Sequence, residues 1–240
     1  MSILLSARIR VVLTIIGLLS CGAYSASAQS TVFNIPSTDV VARGRFYLEA
    51  DFMAHLSSYE SGGYQLYGSR AVYGLSRRTE VGLNAFYVRT EPNEPVELQP
   101  NFKWKFFYDE GKAVAAVAGL VLFVPVTHRA SSSTRGMIYG VASKNVKGSF
   151  GPRLTAGAYG LVGAFDEGTT RHGVLLGYEQ PLSKHLTFVT DWSSGNNDLG
   201  YLATGVGIAV SPRSALYLGY NTGNHGRGNN SIGIFYGFNF

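Results

Sequence analysis

The sequence predicts an all-β fold, a transmembrane antiparallel up-and-down β-barrel of about twelve strands. Three observations lead there. Only 15% of the 240 residues are charged, where a water-soluble domain averages about 25%. The longest apolar run, Val11 to Leu19, is far short of the roughly 20 residues that a membrane-crossing helix needs. From Gly44 onward, segments of about ten residues alternate in polarity and are separated by turn residues, as strands with lipid on one side and water on the other must be. A secreted β-sandwich shares the strand signals and is the soluble alternative.

The chain opens with an export segment over residues 1–28. Arg8 and Arg10 form a basic stretch, Val11 to Leu19 an apolar one, and Ala26-Ser27-Ala28 a small-residue cleavage site. Cleavage falls between Ala28 and Gln29. It removes two arginines and no acid, lowering the formal net charge by two from +5, so the basic balance carries no argument for nucleic acid. The single cysteine, Cys21, lies in this segment. The mature chain therefore makes no disulfide and does no thiolate chemistry. Leu18-Leu19-Ser20-Cys21 also reads as a lipidation motif, but an integral barrel needs no acyl anchor. Residues 29–43, with Pro36 and Ser37-Thr38-Asp39, read as a periplasmic lead-in; the alternative is a segment tucked into the lumen.

The barrel itself spans residues 44–240. In segment 44–55, Phe46, Leu48, Ala50, Phe52 and Ala54 share one face, and Arg45, Glu49, Asp51 and His55 the other, because side chains two apart point the same way along a strand. Segments 63–75 and 79–90 follow, carrying Arg70 and then Glu80 and Asn84. Segment 97–108 alternates Leu98, Pro100, Phe102, Trp104, Phe106 and Tyr108 with Glu97, Gln99, Asn101, Lys103, Lys105 and Phe107. Six apolar or aromatic residues on one face suit lipid, with Trp104 and Tyr108 placed for an interfacial girdle. The remaining segments are 112–125, 135–145, 150–165 (Arg153), 171–181 (Glu179), 185–194 (Asp191), 199–210, 214–223 and 231–240. Glycines such as Gly157, Gly160, Gly163, Gly205 and Gly207 let a curved sheet bend.

Connectors alternate in length. Ser76-Arg77-Arg78, Asp109-Glu110-Gly111, Leu182-Ser183-Lys184 and Ser211-Pro212-Arg213 are tight; Glu91–Val96, Thr127–Thr134, Ser194–Asp198 and Thr222–Asn230 are longer and rich in Ser, Asn and Gly. Barrels with short periplasmic turns and long external loops show this parity. It requires an even strand count: twelve, with ten as the other even solution.

The last segment, Ser231 to Phe240, places Ile232, Ile234, Tyr236, Phe238 and Phe240 on one face. A terminal aromatic preceded by alternating apolar residues resembles the assembly signal of Gram-negative outer-membrane proteins, here Tyr236, Phe238 and Phe240. The resemblance implies a cell outer-membrane location. The implied partners are barrel-insertion machinery, outer-membrane lipid and lipopolysaccharide.

A charge near the bilayer midplane costs about 2–4 kcal/mol for Arg or Lys, so mid-strand charges must point inward. The predicted lumen-lining residues are Arg45, Glu49, Asp51, Arg70, Glu80, Asn84, Gln99, Asn101, Lys103, Lys105, Arg153, Glu179 and Asp191. Strand direction puts Glu49 opposite Arg70 and Glu80 opposite Lys105. Basic and acidic inward residues nearly balance, which argues against strong ion selectivity. Barrels of about eight strands are filled and those of 16–18 are open, so twelve admits either a narrow passive channel for small hydrophilic solutes or a closed barrel with a structural or surface-binding role.

An outer-membrane enzyme is the third class. His55, His128 and His225 fall at external rims near Glu60, Glu91 and Glu94, but no Gly-x-Ser-x-Gly element accompanies them and nothing pairs Ser with His at a recognisable spacing. No metal-ligand spacing occurs, no cofactor is implied, and the glycine-rich Gly226 to Asn230 stretch follows no strand-to-helix pattern for phosphate. Basic residues are scattered rather than clustered, so no nucleic-acid partner is implied.

Overall fold

The computed structural model describes residues 30–90, 95–127, 133–148, 150–226, 228 and 230–240. The predicted export segment and the Ala28–Gln29 cleavage site lie outside the described residues. Twelve antiparallel strands form a closed barrel in chain order. They are β1 (Phe46–His55), β2 (Tyr64–Gly74), β3 (Thr79–Arg89), β4 (Val96–Asp109), β5 (Val114–Pro125), β6 (Arg135–Asn145), β7 (Arg153–Gly163), β8 (His172–Pro181), β9 (Leu186–Ser193), β10 (Tyr201–Ser211), β11 (Ser214–Gly223) and β12 (Ser231–Asn239). β1 closes the ring on β12 from Tyr47↔Asn239 to Ala54↔Ile232, and Phe240 adds a backbone bond to the carbonyl of Phe46 at 2.9 Å. A closed ring has no edge strand with a row of unpaired backbone groups, which is what hydrocarbon demands of a sheet.

The alternation read from the sequence sets the two faces. On β1, Phe46 and Leu48 are exposed while Tyr47, Glu49 and Asp51 are buried. Outward positions elsewhere carry Leu83, Phe102, Trp104, Ile138, Leu176, Leu202 and Ile234, all more than a third exposed. So many large apolar side chains exceed any patch a monomeric soluble protein shows. Aromatic pairs flank this belt. Phe46–Tyr73, Trp104–Phe106 and Phe238–Phe240 lie toward the short-turn end, and the Phe52–Tyr67–Tyr87 row toward the opposite end.

Two strands carry a register shift: β10 against β11 between Ala209 and Ser211 at its short turn, and β4, where the shift changes which face a side chain takes. β4 runs to Asp109, and its register with β5 shifts between Lys105 and Phe107. The bulge turns Phe107 outward, opposite Ala116, where it is 46% exposed; uninterrupted alternation had put it inside. A bulge inserts one residue and swaps faces beyond it.

Glycines meet aromatics across the inner wall. Gly68↔Phe86, Gly119↔Tyr139, Gly173↔Tyr159 and Gly207↔Tyr217 are direct cross-strand partners. A Cβ on Gly119 would sit 2.2 Å from the Tyr139 hydroxyl. The missing side chain is the space in which the ring lies against the curving wall.

Residues 30–41 do not lie outside the barrel as a lead-in. They run through its interior, where Val32, Phe33, Ile35 and Val41 are all at most 3% exposed. This is the tucked alternative, and its cause is local. Val32, Phe33 and Ile35 form an apolar knot in a polar stretch, and the barrel interior offers the cover it needs. Thr31 bridges Pro36, making a short loop of residues 32–35. Gly44 then takes a left-handed φ of 75° where the chain turns into β1.

Candidate functional site

The interior has two unlike walls. The first, on β1–β4, is charged and amide-lined. Arg70 Nε sits 2.7 Å from Asp51 Oδ2 and 3.2 Å from Glu49 Oε1. These residues are neighbours because Glu49 and Arg70 are register partners. Tyr47 donates its hydroxyl to Glu49, and the Arg70 guanidinium lies 5.7 Å over the Phe86 ring. Asn84 donates to Gln99 at 3.2 Å, Gln99 to Glu97 at 2.8 Å, and Asn101 to the Gln99 carbonyl at 3.1 Å. Glu97 also faces Arg135 at 3.9 Å, which reaches Asp198 at 3.2 Å.

Glu80 pairs with Lys103 at 2.9 Å, not with Lys105. The register sets Glu80 directly opposite Lys103. Lys105 falls two residues nearer the bulge, where its ammonium lies 5.7 Å over the Tyr108 ring. Arg45 is also displaced from its expected place: it precedes β1 and is exposed. Arg153 lies on the far side of the barrel and contacts Glu179 at 3.5 Å.

The second wall, on β5–β12, is largely apolar and aromatic, with Arg153, Glu179, Thr155, Asp191 and Asn221 set into it. Val117, Met137, Tyr139, Val141, Tyr159, Leu161, Leu175, Val189, Ala203 and Phe235 are buried in one cluster with Val32, Phe33 and Ile35. A uniformly polar lumen is therefore not what the barrel has. β5 explains why this was hard to read: VAAVAGLVLFVP is apolar on both faces, as a strand covered on both sides is expected to be.

The interior segment joins the two walls. Lys103 Nζ donates to the carbonyls of Ser30 at 2.7 Å and Asp39 at 3.0 Å. Glu80 accepts from Ser30 Oγ at 2.6 Å and from the Val41 N–H at 2.7 Å. Across the barrel, Arg153 holds Asp39 at 2.6 Å and Thr38 Oγ1 at 2.9 Å, and Thr38 also bonds Ser143. At the tip, Asp191 Oδ2 accepts three successive backbone N–H groups, those of Phe33 at 2.9 Å, Asn34 at 2.7 Å and Ile35 at 3.0 Å. Bonds to a charged acceptor are worth about 1.5–3 kcal/mol each. Phe33 packs with its centroid 4.9 Å from Phe235 and 6.4 Å from Tyr217.

Sequence reasoning named Asp191, Glu80, Lys103 and Arg153 but not their main partners. Ser30, Phe33, Thr38 and Asp39 lie up to 158 positions away along the chain. The one local signal was the Val32-Phe33-x-Ile35 knot itself.

Among the described residues, His55 and His225 are not brought together with each other. The His55 ring contacts the Asn230 carbonyl through Nδ1 and stacks on Tyr64. His225 borders a polar cleft of about 260 Å³ between loops, with Glu167, Thr169, Asn196 and Asp198. His128, Glu91 and Glu94 lie outside the described residues. Among the described residues, no three of His, Cys, Asp and Glu converge to hold a metal.

No protein-family model matches the chain, and no curated protein matches it. Solved structures do match in shape. One is the KdgM porin in complex with disordered oligogalacturonate, with a TM-score of 0.52, 8% identity, and coverage of 80% of this chain and 98% of that one. Another is an outer-membrane channel from Pseudomonas putida F1, with a TM-score of 0.54, 12% identity, and coverage of 85% and 98%. At such identities the likeness is one of fold, a closed barrel of similar extent.

Proposed function

We propose that this chain is an outer-membrane channel that passes small hydrophilic solutes through the barrel, and that it is not an enzyme. One observation carries the reading: a closed ring of strands turns an apolar surface outward and buried ion pairs, Arg70 with Glu49 and Asp51 and Lys103 with Glu80, inward. Only lipid outside and a polar path inside make both faces favourable at once. The fold is also that of a porin and of an outer-membrane channel. In this reading residues 1–28 are removed on export, the charged wall of β1–β4 lines the path, and Tyr236, Phe238 and Phe240 address the chain to the insertion machinery. Lipid and lipopolysaccharide surround the outer belt.

The test is conductance of the purified protein in planar bilayers. Discrete current steps are expected, with weak preference between cations and anions because inward charges of both signs are paired. A membrane that stays silent, both for the intact protein and for a variant with its interior segment loosened (Asp39→Asn), overturns the channel. A second reading has its own support. Residues 30–41 fill part of the lumen, as they would in a closed barrel with a structural or surface-binding role, and the silent membrane is its outcome.

A further inference from the structure

The three N–H groups on Asp191 and the ring on Phe235 describe more than a tether. Asp191 is 1% exposed, sits mid-strand on β9 against Gly177 and Ala203, and faces the apolar wall. Its Oδ2 is filled by the loop 32–35, while Oδ1, equally buried, has no hydrogen-bond partner among the described residues. A buried carboxylate in an apolar setting is costly unless donors satisfy it. None of its recorded donors comes from the barrel wall. Beside it the wall is cut to receive a ring: a Cβ on Gly219 would lie 2.6 Å from the Phe33 ring, and Phe235 and Tyr217 close the sides. The wall thus presents an acceptor and a ring-shaped slot as one unit, and both are occupied by the loop 32–35, whose Asn34 also donates to the buried wall residue Asn221 at 2.9 Å; the segment's other polar holds, at Arg153, Ser143, Lys103 and Glu80, lie elsewhere.

We propose that this unit is a binding site for small amphipathic solutes that carry an aromatic ring next to N–H donors, and that Val32–Ile35 occupy it as an internal stand-in that such a solute displaces. The proposal deepens the channel reading and rests on it for the solute's passage, not for its binding. It also gives the apolar wall a purpose that a path for purely hydrophilic solutes lacks. A solute of this kind binds with its ring against Phe235 and Tyr217 and its N–H groups on Asp191. The solute's apparent affinity is reduced by the fraction of time the segment holds the site.

The test uses the full chain in detergent and N-acetyl-L-phenylalanine amide as probe, with N-acetyl-L-alanine amide (no ring) and 3-phenylpropionate (a carboxylate in place of the N–H groups) as controls, read by isothermal titration calorimetry. Two variants loosen the same segment by different routes. Asp39→Asn removes the ion pair to Arg153 and leaves the site intact, so probe affinity rises several-fold. Asp191→Ala also releases the segment but removes the acceptor, so probe affinity falls by at least tenfold. Asp191→Leu, close in shape and without an acceptor, is the fallback should the alanine variant misfold, judged by heat-modifiable gel mobility, and the same fall is expected of it. If Asp191 serves only as a tether, its loss frees the slot and probe affinity rises; that result overturns the proposal. Equal binding of 3-phenylpropionate or of the alanine amide overturns it as well, as does no binding to Asp39→Asn. Conductance of the same proteins separates the two readings. Probe binding with a silent membrane leaves the site and removes the channel. Current steps that the probe does not block, together with no calorimetric binding, remove the site and leave the channel.

Discussion

Replacing Arg70 with Met tests whether the charged wall is held by its pairing. Glu49 and Asp51 are 4% and 5% exposed, and the Arg70 guanidinium lies between them at 3.2 and 2.7 Å. Removing the cation strands two carboxylates where water reaches poorly. Breaking a buried pair from one side costs about 3–5 kcal/mol. The Arg70 side chain is itself 17% exposed, so some screening remains and the expectation sits near the lower bound, about 3 kcal/mol. Loss of the guanidinium from the Phe86 face adds about 0.5–1 kcal/mol. The assay is reversible urea unfolding of the protein in lipid vesicles, followed by the fluorescence of Trp104 and Trp192. The companion variant Glu49→Gln/Asp51→Asn/Arg70→Met removes all three charges and should recover at least half of the loss, because no bare charge is left inside. In bilayers, Arg70→Met should shift the channel toward cations. A single variant within about 1 kcal/mol of the parent, the range of a solvated surface pair, refutes the buried-pair account. So does a triple variant no better than the single.

Other substitutions probe other parts of the argument. Leu176→Arg sets a charge on the outward face in the middle of β8, where Leu176 is 44% exposed; it should cost about 2–4 kcal/mol in vesicles, whereas Leu182→Arg in the adjoining short turn should cost little. Gly119→Ala should destabilise by about 1–3 kcal/mol, because the new Cβ meets the Tyr139 hydroxyl at 2.2 Å, and the added change Tyr139→Ala should remove that clash. Deleting Phe240 removes one closing backbone bond and a ring 4.6 Å from Phe238. Refolding into vesicles should weaken only slightly, by about 1 kcal/mol, while the yield of assembled barrel in cells should fall sharply; equal losses in the two settings would remove the assembly-signal reading.

The strands were legible because each stretch that alternates lies between lipid and a polar wall. β1 and β4 show it best, and the paired turn lengths settled an even count. Legibility failed where that contrast failed. Along most of β5–β8 the inward residues are Val, Met, Tyr and Leu, with Ser143, Arg153, Thr155 and Glu179 only toward the short-turn end, so over that length neither face is marked, and a half-apolar interior cannot be told from a lipid face by period alone. The Lys105–Phe107 bulge is a one-residue event with no glycine to announce it, and the expected Glu80–Lys105 pair came out one step along the strand face, at Lys103. The interior segment was legible only as the alternative to a periplasmic lead-in. Its contacts depend on Asp191, Asn221 and Phe235 converging from three distant strands, and nothing in residues 29–43 names those partners.

The size of the ring explains why the chain fills its own interior. In a barrel of about eight strands side chains meet across the axis, and at 16–18 strands water takes the space. Twelve strands leave a lumen that the inward rings on one side cannot close alone. On that side Tyr159 bonds Ser194 and Asn197, but Val117, Val189 and Phe235 offer water no hydrogen bond. A tethered segment solves both problems: it supplies apolar cover for the second wall through Val32, Phe33 and Ile35, and polar contacts for the first through Ser30, Asp39 and the Val41 N–H. Because it is joined to β1, it seats without the loss of translational freedom that a separate molecule suffers. The same logic limits how firmly it is held. Its anchors are a few charge-assisted bonds at three separated places, with no strand pairing to the wall beyond the Arg43–Gly74 bridge at its base, so it can leave without opening the ring.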